Sequence, residues 1–304
     1  MAVRRDVEFK SGGTLCRAWL YVRQNTGRER RPCIVMAPGL SGTRECSLEP
    51  FALRFAQAGF CVLLFDYRGF GASDGKPPQV VRISDELADW HTAIAFARSL
   101  PGVDPTRIGL WGTSLSGGHV ISVAAQDPTI AAIASQCPML DGRASSRMYR
   151  RSVGVRSMLR LAGAALRDVA HSMFGMQPYY VPLVAPQGQF AVMATHDAYP
   201  GLMAITPPGW RNEVAARLFL SLPHYRPVRT AKKVTCPALL ISCSKDSVTS
   251  HEAAAKAAAN MKGRVRHLEL PIGHFDIYRG EWFETASEVQ VEFFTQALRS
   301  EHAA

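Results

Sequence analysis

No apolar run in the 304-residue chain approaches the length of about 18 residues that a membrane-crossing helix needs, so no membrane span is expected. The N-terminus, MAVRRDVEFKSGG, lacks the apolar segment of a secretory signal, because Asp6, Glu8 and Lys10 fall where it would lie. The chain contains no HExxH, no CxxC and no clustered set of Cys and His, so neither a metal nor a metal-dependent cofactor is expected. Seven cysteines (positions 16, 33, 46, 61, 137, 236 and 243) stand mostly among apolar neighbours. An odd number without pairing motifs reads as reduced thiols in a cytoplasmic protein, not as a disulfide scaffold.

Acidic residues are scarce in one place. Between Asp141 and Thr230 eleven arginines face only Asp141, Asp168, Asp197 and Glu213, a net charge of +7 within a chain of net +10. No nucleic-acid recognition motif accompanies them, so nucleic acid is not the expected partner. A basic helical surface is the plain reading, and a mouth that attracts anions or an acidic surface is the sharper one.

What is present is rhythm. Val3 to Lys10 and Leu15 to Val22 read as strands joined by a Ser11-Gly12-Gly13 turn. From Cys33 onward, short runs apolar on both faces alternate with helical stretches. CIVMAPG is a strand, PFALRFAQAG a helix stopped by Gly59, and FCVLLFDYRG a strand. A helix from Ser84, read as its N-cap, reaches Ser99, and Asp104-Pro105 then turns the chain into the strand IGLWG. A helix from Leu115 to Gln126 and a strand from Ile130 to Gln136 follow. The pattern resumes with ALLISC (strand), HEAAAKAAANM (helix), VRHLEL (strand) and a helix over Glu281 to Leu298. Such strands need helices on both sides, which predicts an α/β fold with a mostly parallel central sheet. Between 141 and 230 the strand rhythm disappears. Helical periodicity in RSMLRLAGAALRDVAHSMF and a shorter helix around Arg211 to Ser221 predict an inserted helical cap at 141–230 on a core of 1–140 and 231–304. Its Met and aromatic residues, Met148, Met158, Met173, Phe174, Met176, Tyr179 and Tyr180, are expected to pack, some of them lining an apolar substrate pocket.

One turn carries the chemistry. In IGLWGTSLSGGH, Ser114 falls between a strand and a helix, with Gly112 and Ser116 two residues either side. A turn that sharp strains its central residue, admits only small neighbours, and lifts the hydroxyl beside a helix N-terminus that favours negative charge. With this nucleophile elbow and the Arg68–Gly75 run RGFGASDG after a strand, the chain resembles the α/β-hydrolase superfamily, in its esterase, dienelactone-hydrolase-like and serine-aminopeptidase-like branches. Ser116 departs from the family's GxSxG by replacing the last glycine with another small residue. A serine hydroxyl needs a base, and the base an orienting carboxylate. The resemblance implies the order Ser, acid, His, which Ser114, Asp246 and His274 satisfy, with Asp141 as a rival acid. Asp276 is read as steadying the loop of His274. His91, His119, His251 and His267 are read as structural, without partners. The backbone N–H of Leu115, and that of Leu40 in MAPGLSG, are implied as oxyanion donors; where the family often has His-Gly, this chain has Pro38-Gly39.

A dinucleotide loop is disfavoured, because GFGASD sets Asp74 in place of the third glycine and Lys76-Pro77-Pro78 precedes the next helix. The expected activity is a serine hydrolase acting on a small-molecule carboxylic ester without a cofactor. The alternatives are a peptidase or amidase of the serine-aminopeptidase-like type, and a non-catalytic binding protein on the same fold. An aminopeptidase would need acids near its mouth, and the arginine-rich segment offers few, which favours neutral or anionic substrates. The sequence carries no reading of oligomeric state.

Overall fold

The computed structural model describes residues 2–23 and 30–298. Strands β1 (Ala2–Ser11) and β2 (Thr14–Arg23) form an antiparallel hairpin. Its two-residue turn works because Gly12 and Gly13 both take positive φ, 53° and 82°, which the twist of a tight hairpin demands. The chain then alternates through β3 (Arg31–Ala37), α1 (Glu49–Gln57), β4 (Cys61–Phe65), α2 (Ile83–Ser99), β5 (Val103–Thr113), α3 (Leu115–Ala124) and β6 (Ala132–Gln136). After a long excursion it returns with β9 (Ala238–Cys243), α7 (His251–Asn260), β10 (Val265–Leu270) and α8 (Gly280–Ala297). These strands form one eight-stranded sheet in the order β1-β2-β4-β3-β5-β6-β9-β10, parallel from β4 onward. Every residue of β4, β6 and β9 is buried, which is why their sequences are apolar without alternation. The fold is that of an α/β-hydrolase, as expected.

Local expectations needed correction in two places. Ser84 is not an N-cap: α2 starts at Ile83, and Ser84 sits inside its first turn beside Asp85 and Glu86, whose charge suits the helix N-terminus. Asp104-Pro105 does not end the extended chain either. Strand β5 runs through it, and the register against β3 slips between the Arg31–Val103 and Cys33–Ile108 pairs.

The excursion, residues 141–230, is only partly helical. It opens with α4 (Gly142–Met173), which begins well before the periodic stretch and is interrupted at Gly154, whose φ of 81° and ψ of 168° break the helix. It continues through β7 (Tyr180–Val181), α5 (Ala198–Met203), β8 (Val214–Ala215) and α6 (Leu218–Ser221). Strands β7 and β8 pair antiparallel, so strand structure exists where none was expected, and the helix anticipated over Arg211–Ser221 shrinks to α6. Two-residue strands are too short to leave an alternating pattern in a sequence. Asp168 on α4 anchors the segment: it is fully buried, pairs with the Arg217 guanidinium at 2.7 and 2.8 Å, and accepts the N–H groups of Tyr179 and Arg217.

The Arg68–Gly75 run folds around Asp66. Asp66 accepts the N–H groups of Arg44 (2.7 Å) and Ala72 (3.2 Å), and a Cβ on Gly71 would lie 2.3 Å from its carboxylate. Arg68 reaches back to Asp89 at 2.8 Å and to Ser11 at 2.8 Å, tying hairpin, loop and α2 together. The glycines thus serve the loop's own packing. Burial pushes the Asp66 carboxyl up from 3.8 to about 6, with the Arg44 guanidinium pulling the other way. A raised carboxyl stabilises the fold below its unfolded value and loses that contribution as pH rises through its folded one. The stability of wild type relative to Asp66→Asn should therefore fall by roughly 1–3 kcal/mol between about pH 4 and pH 6, read by denaturant unfolding across that range. A pH-independent difference would show that Asp66 does not titrate there.

Candidate active site

Strand β5 delivers the chain to Ser114 at the carboxyl end of the sheet, and α3 leaves from it at once. Ser114 has φ 56° and ψ −118°, a region that L-residues rarely occupy and that must be held by its surroundings. It is held by the backbone. The N–H of Ser114 donates to Gln136 O at 2.9 Å, and its carbonyl accepts from Met139 N–H at 2.9 Å and Gly118 N–H at 3.3 Å. Small neighbours are obligatory: a Cβ on Gly112 would lie 2.2 Å from Ser116 O, and one on Gly39 would lie 2.9 Å from Ser114 Cβ.

The three residues implied from far-apart segments meet here. His274 Nε2 stands 3.1 Å from Ser114 Oγ, and His274 Nδ1 stands 2.6 Å from Asp246 Oδ2. Both ionisable groups are nearly sealed from solvent. The carboxylate is fully engaged: Oδ1 accepts the N–H groups of Val248 and Thr249, each at 2.7 Å, and Oδ2 accepts the Thr249 hydroxyl at 2.8 Å. Thr249, which the sequence reading missed, completes this shell; an aspartate followed three residues later by threonine is its only sequence trace. The loop of His274 is pinned from both sides. Asp276 accepts the N–H of Gly273 at 2.8 Å, as anticipated, and the Tyr278 hydroxyl is hydrogen-bonded to that of Thr113, the residue before Ser114.

Leu40 and Leu115 line the same cavity as Ser114. The N–H of Leu115 belongs to the first turn of α3, where no intrahelical acceptor exists. Ser116 proves to be more than a tolerated replacement. It is fully buried, its hydroxyl donates to the Pro38 carbonyl, and the same oxygen is hydrogen-bonded to the Tyr67 hydroxyl, which accepts from Trp90 Nε1 at 2.7 Å. The elbow and the Pro38–Leu40 loop are thereby stitched together through the residue that departs from the family pattern.

Other expectations resolve differently. Asp141 is the N-cap of α4, accepting the N–H groups of Arg143 and Ala144 and pairing with Arg226 at 2.7 Å, so it is not brought to Ser114. The four histidines read as structural and without partners, His91, His119, His251 and His267, all have partners. His91 meets Gln126, His251 meets Glu269, and His267 meets Ser242. His119 is buried between Glu86 (2.8 Å) and the Tyr225 hydroxyl (2.7 Å), with burial raising the Glu86 carboxyl, and so links α2 and α3 to the 141–230 segment. None of the seven Met and aromatic residues expected in that segment lines the cavity. Its apolar wall comes instead from Met139, Tyr149, Met193, Leu202, Ile205 and Phe219, because Met173, Phe174 and Met176 face outward. The cavity, counted out to solvent, is about 1120 Å³. Among the described residues its lining includes no Asp, Glu, Lys or Arg. No group of His, Cys, Asp and Glu among them is arranged to hold a metal ion, and the seven cysteines are free thiols.

A family model described as Serine aminopeptidase, S33, matches residues 28–274. The chain belongs to that family of α/β-hydrolases. The quorum-quenching protein AidA of Acinetobacter baumannii (strain MDR-ZJ06) is 42% identical to it over 296 residues, covering 96% of this chain and 95% of that one. The thiohydrolase aneE of Aspergillus aculeatus is 28% identical, covering 98% and 95%. Among solved structures, DcsB in complex with its substrate analogue superposes with a TM-score of 0.82 at 24% identity (97% of this chain, 100% of that one). The α/β-hydrolase GrgF from Penicillium sp. sh18 gives 0.81 at 24% identity (97% and 99%). At these identities the superpositions speak to the fold.

The Ser116 stitch is testable without touching Ser114. Ser116→Ala keeps the small size but strands the Pro38 carbonyl and the Tyr67 hydroxyl, so thermal and denaturant unfolding should show a loss of about 1–3 kcal/mol. Turnover should fall on the order of tenfold through kcat, with KM little changed, as the Pro38–Leu40 loop loosens. Unchanged stability and turnover would remove the stitch from the account.

Proposed function

We propose that this protein is a serine hydrolase that cleaves carboxylic esters of neutral, largely apolar acids through an acyl-enzyme. The reading rests on one observation above the others: the unbroken hydrogen-bonded chain from Asp246 through His274 to Ser114 at the floor of an apolar cavity. In this mechanism Ser114 Oγ attacks the carbonyl carbon as its proton passes to His274 Nε2. His274 Nδ1–H donates to Asp246 throughout, which fixes the ring and stabilises the imidazolium. The carbonyl oxygen, now negative, is received by the N–H groups of Leu40 and Leu115. Collapse expels the alcohol, which takes its proton from His274. Water, deprotonated by the same nitrogen, then releases the acid and regenerates Ser114. Residues 141–230 act as the cap, supplying Tyr149, Met193 and Phe219 to the acyl-binding wall.

Ester is favoured over aminoacyl cleavage by the lining, which among the described residues includes no carboxylate to hold a substrate ammonium. The arginines of the cap do not line the cavity either, which narrows the earlier preference for neutral or anionic substrates to neutral ones. Thioesters are the second reading. The thiohydrolase name of the aneE relative favours them, and the same attack and leaving-group steps serve a thiol. Within the apolar wall, the Ser145 hydroxyl is buried with no hydrogen-bond partner among the described residues, a ready contact for one polar group on the acyl chain.

The test is a panel of ester, thioester and aminoacyl substrates run against wild type and Ser114→Ala. Turnover of the acyl esters should drop by about 10⁴ to 10⁶-fold in the variant. Activity that survives the substitution would overturn the assignment. Preference for aminoacyl substrates would replace the ester reading with the peptidase one, and absence of turnover on the whole panel would favour a binding protein.

A further inference from the structure

The outer face of α4 takes no part in the cavity, yet it is neither polar nor neutral. Beyond the break at Gly154, successive residues turn by about 100°, which gathers Val155, Leu159, Leu166 and Met173 into a sector roughly 40° wide. All four are exposed, Leu159 at 68%, Leu166 at 62% and Met173 at 78%. The stripe continues past the helix end into Phe174, exposed at 79%, and Met176. The buried face of the same helix, Leu161, Ala165 and Asp168, points elsewhere, so the stripe is not a frayed edge of the core.

Charge borders the stripe on one side. Arg156, Arg160 and Arg167 occupy a second sector roughly 100° from the apolar one. Before the break, Arg143, Arg147, Arg150 and Arg151 recur at the spacing of one helix face and are all exposed. Among the described residues no carboxylate lies within ion-pair distance of any of these seven. Arg160 and Arg167 instead rest over the rings of Phe190 and Tyr179, at 4.6 and 4.3 Å. The single acid of α4, Asp168, is already buried against Arg217.

We propose that this face of α4 docks on membranes rich in anionic phospholipid. A lipid surface is the partner that satisfies both halves at once. Exposed leucine, methionine and phenylalanine enter the acyl boundary, while flanking guanidinium groups remain at the depth of the phosphates. Neither feature alone is enough, because a short apolar stripe or a few cations bind only marginally, and two signals together give stable attachment. A second copy of this chain fits less well, since symmetric pairing along the stripe would bring the two arginine-bearing helices together with no carboxylates to answer them. Nucleic acid would use the arginines but leave the leucines in water. The same helix lines the cavity with Ser145, Ser146 and Tyr149, so docking would hold the site next to the phase where apolar acyl substrates dissolve.

The test is flotation of the full chain with vesicles of equimolar phosphatidylglycerol and phosphatidylcholine, against vesicles of phosphatidylcholine alone. The protein should float with the anionic vesicles at low salt, be released at high salt, and ignore the neutral ones. Leu159→Asn with Leu166→Asn, and separately Arg156→Gln with Arg150→Gln, should each reduce binding about tenfold, since each removes one of the two signals. Hydrolysis of a short, water-soluble ester should be unchanged in both, which shows that the fold is intact independently of docking. Equal binding to neutral vesicles, no binding to anionic ones, or binding that survives both variant pairs would overturn the proposal. So would concentration-dependent dimerisation abolished by the leucine changes in the absence of vesicle binding. Retention on duplex DNA without vesicle binding would likewise assign the arginines to another partner.

Discussion

The backbone of Ser114 is the constraint from which the site is built. A residue at φ 56° and ψ −118° carries a conformational penalty, on the order of 1–3 kcal/mol for such strained positions, that must be offset nearby. The offset is visible in the bonds from its N–H to Gln136 and from Met139 and Gly118 to its carbonyl. Because Gln136 ends β6 and Met139 lies just beyond it, the bend holds only when β5 and β6 are paired in register. Gly112 and Gly39 matter for the same reason: each yields the space that the bend consumes. The hydroxyl is thus presented by the sheet as a whole, not by the local loop.

Around that bend Asp246, His274, Ser116 and Tyr278 each have defined hydrogen-bond partners. Asp246 has its lone pairs filled by Val248, Thr249 and His274, so its carboxylate has one orientation. The loop of His274 is tied to Thr113 by Tyr278 and to itself by Asp276. Ser116 joins the elbow to the Pro38–Leu40 loop. A buried polar group left unpaired costs more than a made bond returns, so these bonds resist rearrangement. This rigidity is what the proposed chemistry requires, since orientation and preorganised N–H donors account for much of the rate in acyl transfer.

The 141–230 segment separates two electrostatic environments. Its inner side lends an uncharged wall to the cavity, while its outer side carries nearly all of its arginines. It is fastened to the sheet-bearing core at several independent points. Ser247, next to Asp246, bonds to Thr195 at 2.7 Å, and Trp210 Nε1 donates to Ser41 O at 3.0 Å. Tyr225 reaches the buried His119, and a Cβ on Gly201 would lie 2.5 Å from the ring of Phe275, adjacent to His274. Changes in this segment are therefore positioned to reach the proposed base through packing alone.

The alternation of apolar runs and helices, the hairpin at Gly12-Gly13 and the elbow at Ser114 were legible in the chain because each is a local pattern with a local cause. Unbroken apolar strands follow from burial on both faces, and small residues flanking Ser114 follow from crowding within a single turn. His274 and Asp246 were legible only through a family order, since nothing near either residue distinguishes it from another loop residue. Tertiary structure alone decided the rest: that Asp141 caps a helix, that His119 is paired with Glu86, that Thr249 completes the hydrogen-bond shell of Asp246, and which methionines face the cavity. The outer stripe of α4 shows the reason most clearly. Its periodicity reads from sequence as a face to be buried, but a helix has several faces, and which one meets the protein depends on what packs against it.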